Sequence, residues 1–134
     1  MSTQAIEFFS PASLMPPFNA AYSHAVVIPP GARVLHCAGQ IGARADGSVP
    51  ADAEGQAEQV WRNLLGILEA GGMAVTDIVK LTAYVVGAEH YPAYANARTL
   101  VLGTHKPAST AVCVPALLRP EWLLEVEMIA AQVP

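Results

Sequence analysis

Charge is scarce in this sequence. Asp, Glu, Lys and Arg make up 13% of its 134 residues, against 53% hydrophobic ones. The seven basic residues, Arg33, Arg44, Arg62, Lys80, Arg98, Lys106 and Arg119, are scattered singly, and the formal net charge is −4. Nucleic-acid binding rests on neutralising phosphates with a clustered basic face. No such cluster exists in the linear sequence, so no nucleic-acid partner is expected. Cysteine is scarcer still: Cys37 and Cys113 stand far apart, fit no CxxC spacing, and are expected as small buried hydrophobes. His24, His36, His90 and His105 show neither HxH nor HExxH spacing, so no metal site is expected. GxSxG, P-loop and dinucleotide fingerprints are missing too, and with them any sign of a cofactor. Glycine, proline or charge interrupts every apolar stretch before the roughly eighteen residues a membrane span needs. The first residues, MSTQAIEFF, carry no basic n-region and no apolar h-region, which leaves the cytoplasm as the expected location.

What remains is a chain of 14.1 kDa with positive mean hydropathy. Its length suits one domain, residues 1–134, with a core that needs no staples. So little charge leaves apolar surface for a subunit contact to cover, and an oligomer is expected. Residues 1–20, with Pro11, Pro16 and Pro17, form an irregular lead-in with at most one short strand. Two strands follow at 21–28 and 33–41, parted by a turn at Pro29-Pro30-Gly31. Ala57, Val60, Trp61, Leu64, Ile67 and Leu68 recur at three- and four-residue steps and predict a helix. Asp52 is its N-cap, Gly71-Gly72 its end, and Trp61 a core anchor. The β-branched run 78–86 predicts a strand buried on both faces, and 90–102 predicts a second helix closed by Gly103. Strands at 109–114 and 122–130 complete the order β-β-β-α-β-α-β-β. The fold class is α+β, a single mixed sheet with two helices on one face.

The last two strands hold the sharpest signal. Pro107, Pro115 and Pro120 bound them, because proline cannot donate to a sheet ladder. In the second, Glu125 and Glu127 share a face of an otherwise apolar strand, and two carboxylates there need water, partners or a job. Ser109, Ala111 and Cys113 share one face of the first strand. Two helices cover one face of such a sheet, and the other is expected to carry Ser109, Ala111, Cys113, Glu125 and Glu127.

PASTAV followed by LLEVEMIAA resembles the closing segment of the RidA/YjgF family of enamine/imine deaminases, some of whose members carry the older label L-PSP endoribonuclease. PFNAAYSHAV, HCAGQIG, DGSVPADAEGQAEQVWRNLLGILEAGG and DIVKLTAYVV match earlier family stretches in the same order. The resemblance implies the chorismate-mutase-like RidA fold, a barrel-like homotrimer, and small-molecule ligands in clefts between subunits. It also implies a glutamate and a tyrosine that position the attacking water, here Glu125 and Tyr22. The pocket turn falls on Ala38 and Gly39, and an asparagine of the second helix on Asn96. The family's P-A-R-[ST] arginine, which grips the carboxylate of a 2-imino acid, is replaced by Ser109, followed by Thr110. A serine offers one hydrogen bond and no charge, which weakens that grip by about 2–4 kcal/mol. Hydrolysis of 2-iminopropionate is therefore expected to be weak or absent. Lys106 and Arg119 are candidate replacement cations, and His24, two residues from Tyr22, is a candidate acid or base. Two function classes stay open: a hydrolase of small imines or enamines, and a non-catalytic ligand-binding or regulatory trimer. A ribonuclease fits the acidic charge least.

Overall fold

A computed structural model describes residues 4–134. Six strands and two helices appear in the order expected from the sequence: β1 (Glu7–Phe9), β2 (Ala25–Val27), β3 (Arg33–Ile41), α1 (Ala53–Ala70), β4 (Ile78–Val86), α2 (Tyr91–Leu102), β5 (Ala108–Val114) and β6 (Leu124–Gln132). Local chemistry sets the boundaries of α1. The Asp52 side chain accepts a hydrogen bond from the Gly55 N–H at 2.9 Å, filling one of the orphan donors of the first turn, and Gly71 takes the C-cap. Pro92 in the first turn of α2 has no N–H to lose there, and Gly103 closes that helix.

The main sheet has the order β3-β6-β4-β5. β6 runs antiparallel to both β3 and β4, while β4 and β5 are parallel, joined by the α2 crossover. Both helices pack on one face, as expected. Trp61, Leu64 and Leu68 of α1 and Tyr94 of α2 bury themselves against Leu81, Ala83 and Val85 of β4 and Leu124, Val126 and Met128 of β6. Each large apolar side chain buried there contributes roughly 1.5–3 kcal/mol. Trp61 is a core residue, stacked on Tyr94 with ring centroids 6.4 Å apart.

The structure corrects four expectations. The sheet is not single: β1 and β2 form a separate antiparallel pair, and the strand expected over 21–28 shrinks to β2. β4 is buried on one face only, since Lys80, Thr82, Tyr84 and Val86 stay partly accessible. Cys113 is exposed, whereas Cys37 is buried. The fourth concerns faces. Ser109 pairs in register with the buried Leu81, and Thr110 with Thr82. Thr82 in turn faces Glu127, and Tyr84 faces Glu125. Paired residues share a face, so Ser109, Ala111 and Cys113 lie on the helix side, opposite Glu125 and Glu127. The phase of β5 relative to β6 is set by β4 between them, which neither strand's own alternation reveals. The helices stop short of this edge strand, so Ala111 and Cys113 are exposed even on the helix side.

Candidate active site

The open face of the sheet carries a shallow cleft of about 480 Å³ lined by Gly39, Tyr84, Leu117, Leu118, Glu125 and Glu127. It begins with an irregularity in β3. The pairing of β3 with β6 shifts register between Cys37 and Gln40, leaving Ala38 and Gly39 outside the ladder. Such a bulge bends the strand and frees backbone groups. The pocket segment expected as a turn is therefore a bulge inside a continuous strand. A Cβ on Gly39 would collide with Glu125 Oε2, so the carboxylate lies directly against the glycine backbone. No larger residue leaves room for it. Beneath the bulge, the Cys37 thiol donates to the Ala38 carbonyl at 3.2 Å. Burial pushes that thiol up from its ordinary value, so it is a packing group rather than a thiolate.

The two glutamates differ in their commitments. The Tyr84 hydroxyl donates to Glu127 Oε1 at 2.5 Å. That hydrogen bond, with burial and the negative charge of both glutamates added, raises the Tyr84 hydroxyl above its usual range. Tyr84 stays protonated and Glu127 stays occupied. Glu125 makes no side-chain hydrogen bond and no ion pair among the described residues. It is the free carboxylate of the cleft. Thr110 belongs to the same face and accepts from Lys80 Nζ at 2.8 Å.

A second group gathers at the far edge and on the helix side. Ser23 bridges to Ala108 in parallel, its N–H donates to the Pro107 carbonyl at 3.1 Å and its hydroxyl to the Lys106 carbonyl at 2.6 Å. Tyr22 and His24 thus flank the start of β5, with their rings edge to face at 6.2 Å. They lie three strand positions from β6, roughly 14 Å away. His24 Nδ1 is buried without a partner. A pocket of about 290 Å³ nearby is lined by Asn19–Ala21, Asn96, Arg98, Thr99, His105 and Lys106 among others. Arg119 is elsewhere, over the Trp122 ring at 6.0 Å on the β5–β6 connection.

Arg119 apart, the residues singled out in the sequence thus fall into two sets that one chain does not bring together. Ala38, Gly39, Glu125 and Thr110 belong to the open face. Ser109, Tyr22, His24, Asn96 and Lys106 belong to the β5 edge and the helix side. Tyr84 and Arg98 were missed. Tyr84 could have been found from its phase in β4, two residues beyond Thr82. Arg98 sits four residues after Tyr94 and four before Leu102, which puts it on the buried stripe of α2.

Residues 14–132 match the family described as Endoribonuclease L-PSP. Protein HMF1 of Saccharomyces cerevisiae is 31% identical over 119 residues, 87% of this chain and 88% of that protein. Among solved structures, the Rid-family protein YyfB from Yersinia pestis superposes with a TM-score of 0.83 at 30% identity, covering 95% of this chain and 98% of its own. TdcF from E. coli, solved with bound serine, gives a TM-score of 0.70 at 25% identity over 96% of this chain and 98% of its own. Fold and sequence agree on the class, a two-helix layer on a mixed sheet of Rid type. The chain belongs to the RidA/YjgF family, the endoribonuclease L-PSP family.

Proposed function

We propose that this chain hydrolyses a small imine or enamine in a cleft completed by a second copy of itself. The observation that carries this reading is Glu125, an uncommitted carboxylate held against the Gly39 backbone at the floor of an open cleft. Glu125 takes a proton from water as the oxygen attacks the C=N carbon. It returns that proton to the nitrogen, giving a carbinolamine, and then carries the carbinolamine hydroxyl proton to the same nitrogen as the C–N bond breaks, so that ammonia leaves and a carbonyl product remains. An enamine enters the same route after tautomerising to the imine. Tyr22 of a neighbouring copy is the partner that orients the water, because its own chain's Glu125 is out of reach. Small zwitterions suit a cleft of this size, and TdcF was solved with one, serine.

A homotrimer of barrel type is the assembly that supplies such clefts. It covers the open face, where Val34 and Val112 stand exposed. Among the described residues no helix is long and apolar enough to cross a membrane, and we keep the cytoplasm as the proposed location. Ser109 favours the second reading, a ligand-binding trimer without turnover, because β5 carries no guanidinium. An endoribonuclease is supported least, given the net charge of −4.

The test is ammonia release from freshly generated imines, 2-iminopropionate among them, by the wild type and by Glu125→Gln. Glutamine keeps shape and hydrogen bonding but cannot transfer the proton. The hydrolase reading expects turnover to fall by about 10²–10⁴-fold at an unchanged melting temperature. Equal rates in both proteins would remove Glu125 from the chemistry.

A further inference from the structure

Arg98 is a buried cation without an anion. It projects from α2 and is only 9% exposed, yet among the described residues it makes no ion pair, and its polar neighbour is the neutral Tyr94 hydroxyl. Its one polar-to-aromatic contact is with the Tyr94 ring, 5.6 Å from guanidinium carbon to ring centroid. That contact attracts the charge without neutralising it. A guanidinium so largely withdrawn from bulk water, and open only to a pocket, favours an anion beside it.

Its surroundings are built for such a visitor. The Tyr94 hydroxyl is wholly buried beside Arg98 and Ser109, its polar neighbours. On the other side Arg98 lines the 290 Å³ pocket, together with Lys106, His105 and Asn96, and no carboxylate lines it. Thr99 is already spent on the Ala95 carbonyl at 2.9 Å, and His105 Nε2 on the Ile78 carbonyl at 2.7 Å. The Asn96 amide makes no such bond. The opposite wall is the turn at Asn19 and Ala20, whose φ angles of 57° and 50° are left-handed without glycine. Strain of this kind persists where surrounding structure enforces it, and it gathers at ligand clamps.

We propose that Arg98 is this chain's carboxylate-binding residue, supplying from the second helix, beside Ser109, the guanidinium that β5 lacks. The ligand is a small monocarboxylate, since the pocket lies at the lower end of small-molecule site volumes and a planar fork matches a carboxylate with two parallel hydrogen bonds. The assignment deepens the imine-hydrolase reading by giving the substrate an anionic end, and the binding it predicts does not require turnover.

The test is calorimetric titration of propionate and of its neutral isostere propionamide into the wild-type protein, Arg98→Met, Arg98→Lys and the surface control Arg62→Gln. The wild type and the control should bind propionate in preference to propionamide. Arg98→Met should lose about ten- to hundredfold in propionate affinity and with it the preference. Arg98→Lys keeps the charge without the fork, should stay folded, and should recover part of the affinity. Three results would overturn the proposal: no propionate binding by the wild type at millimolar concentration, equal binding of acid and amide, or an Arg98→Met protein that binds as before. A fourth is Arg98→Met or Arg98→Lys dissociating the oligomer, which would make the missing anion a carboxylate of a neighbouring copy. Glu125→Gln separates the two readings. Retained propionate binding with lost turnover supports both, retained binding with undiminished turnover removes Glu125 from the chemistry, and wild-type propionate binding without ammonia release from any imine ends the hydrolase reading and leaves the Arg98 site standing.

Discussion

Glu125 and Glu127 are two residues apart on one face of one strand, and hydrogen bonding alone separates their roles. Tyr84 occupies Glu127, while the Gly39 backbone makes room for Glu125. Gly39→Ala should therefore act on chemistry before stability. The added methyl occupies the position of the Glu125 carboxylate, and turnover should drop at least tenfold, while substrate binding measured by titration stays close to wild type. Tyr94 yields a prediction in pH. Burial pushes its hydroxyl up to about 12, with Arg98 drawing it partly back. The folded chain holds this proton more tightly than the unfolded chain, whose tyrosines ionise near 10. Its contribution to stability is complete below about pH 10 and is lost as pH rises towards 12. Tyr94→Phe should flatten that alkaline decline. The carboxylate pair was legible from sequence because charge inside an apolar strand is conspicuous. The buried Arg98 was not, since a lone basic residue on a weak helical stripe looks like solvated surface.

Among the elements, α1 was the most legible, because capping, periodicity and a glycine stop all act within twenty residues of chain. The start of β6 was misjudged by two residues for a reason outside the strand. Gln56 of α1, 1% exposed, donates to the Pro50 and Glu121 carbonyls at 2.9 Å each and accepts from the Leu123 N–H at 2.8 Å. Those bonds divert Trp122 and Leu123 into the connection before the ladder can take them. Gln56→Ala should leave these groups unpaired, cost about 2–3 kcal/mol in chemical denaturation, and loosen the loop that carries Leu117 and Leu118 over the cleft. The strand before β3 was overread because an apolar run at 21–28 satisfies period-two patterning. Ser23 instead bonds to the start of β5, and only β2 pairs with β1. The bulge at Ala38 and Gly39 left no mark in the sequence beyond the glycine itself.

At the scale of the molecule, the helices close one face of the main sheet and leave the other, with Glu125, open. The β5 edge stays free beyond Ala108, next to Tyr22 and Ser109. A face with half of a site and an edge with the other half fit a heterologous, head-to-tail contact, which closes into a ring rather than a two-fold dimer. Sedimentation at micromolar concentration should accordingly give three times the 14.1 kDa chain mass. Composition alone predicts an oligomer, but the placement of Glu125 and Tyr22 on two different surfaces emerges only once register assigns each strand its phase. Subunit complementation tests this division most directly. Glu125→Gln and Tyr22→Phe, each inactive alone, are unfolded together, refolded as a mixture and assayed for imine hydrolysis. If the site joins Glu125 of one copy to Tyr22 of another, about a quarter of the clefts in an equimolar random mixture carry both native residues, and activity should return to that fraction of wild type. Mixed oligomers of native mass that stay as inactive as either parent would contradict the shared cleft.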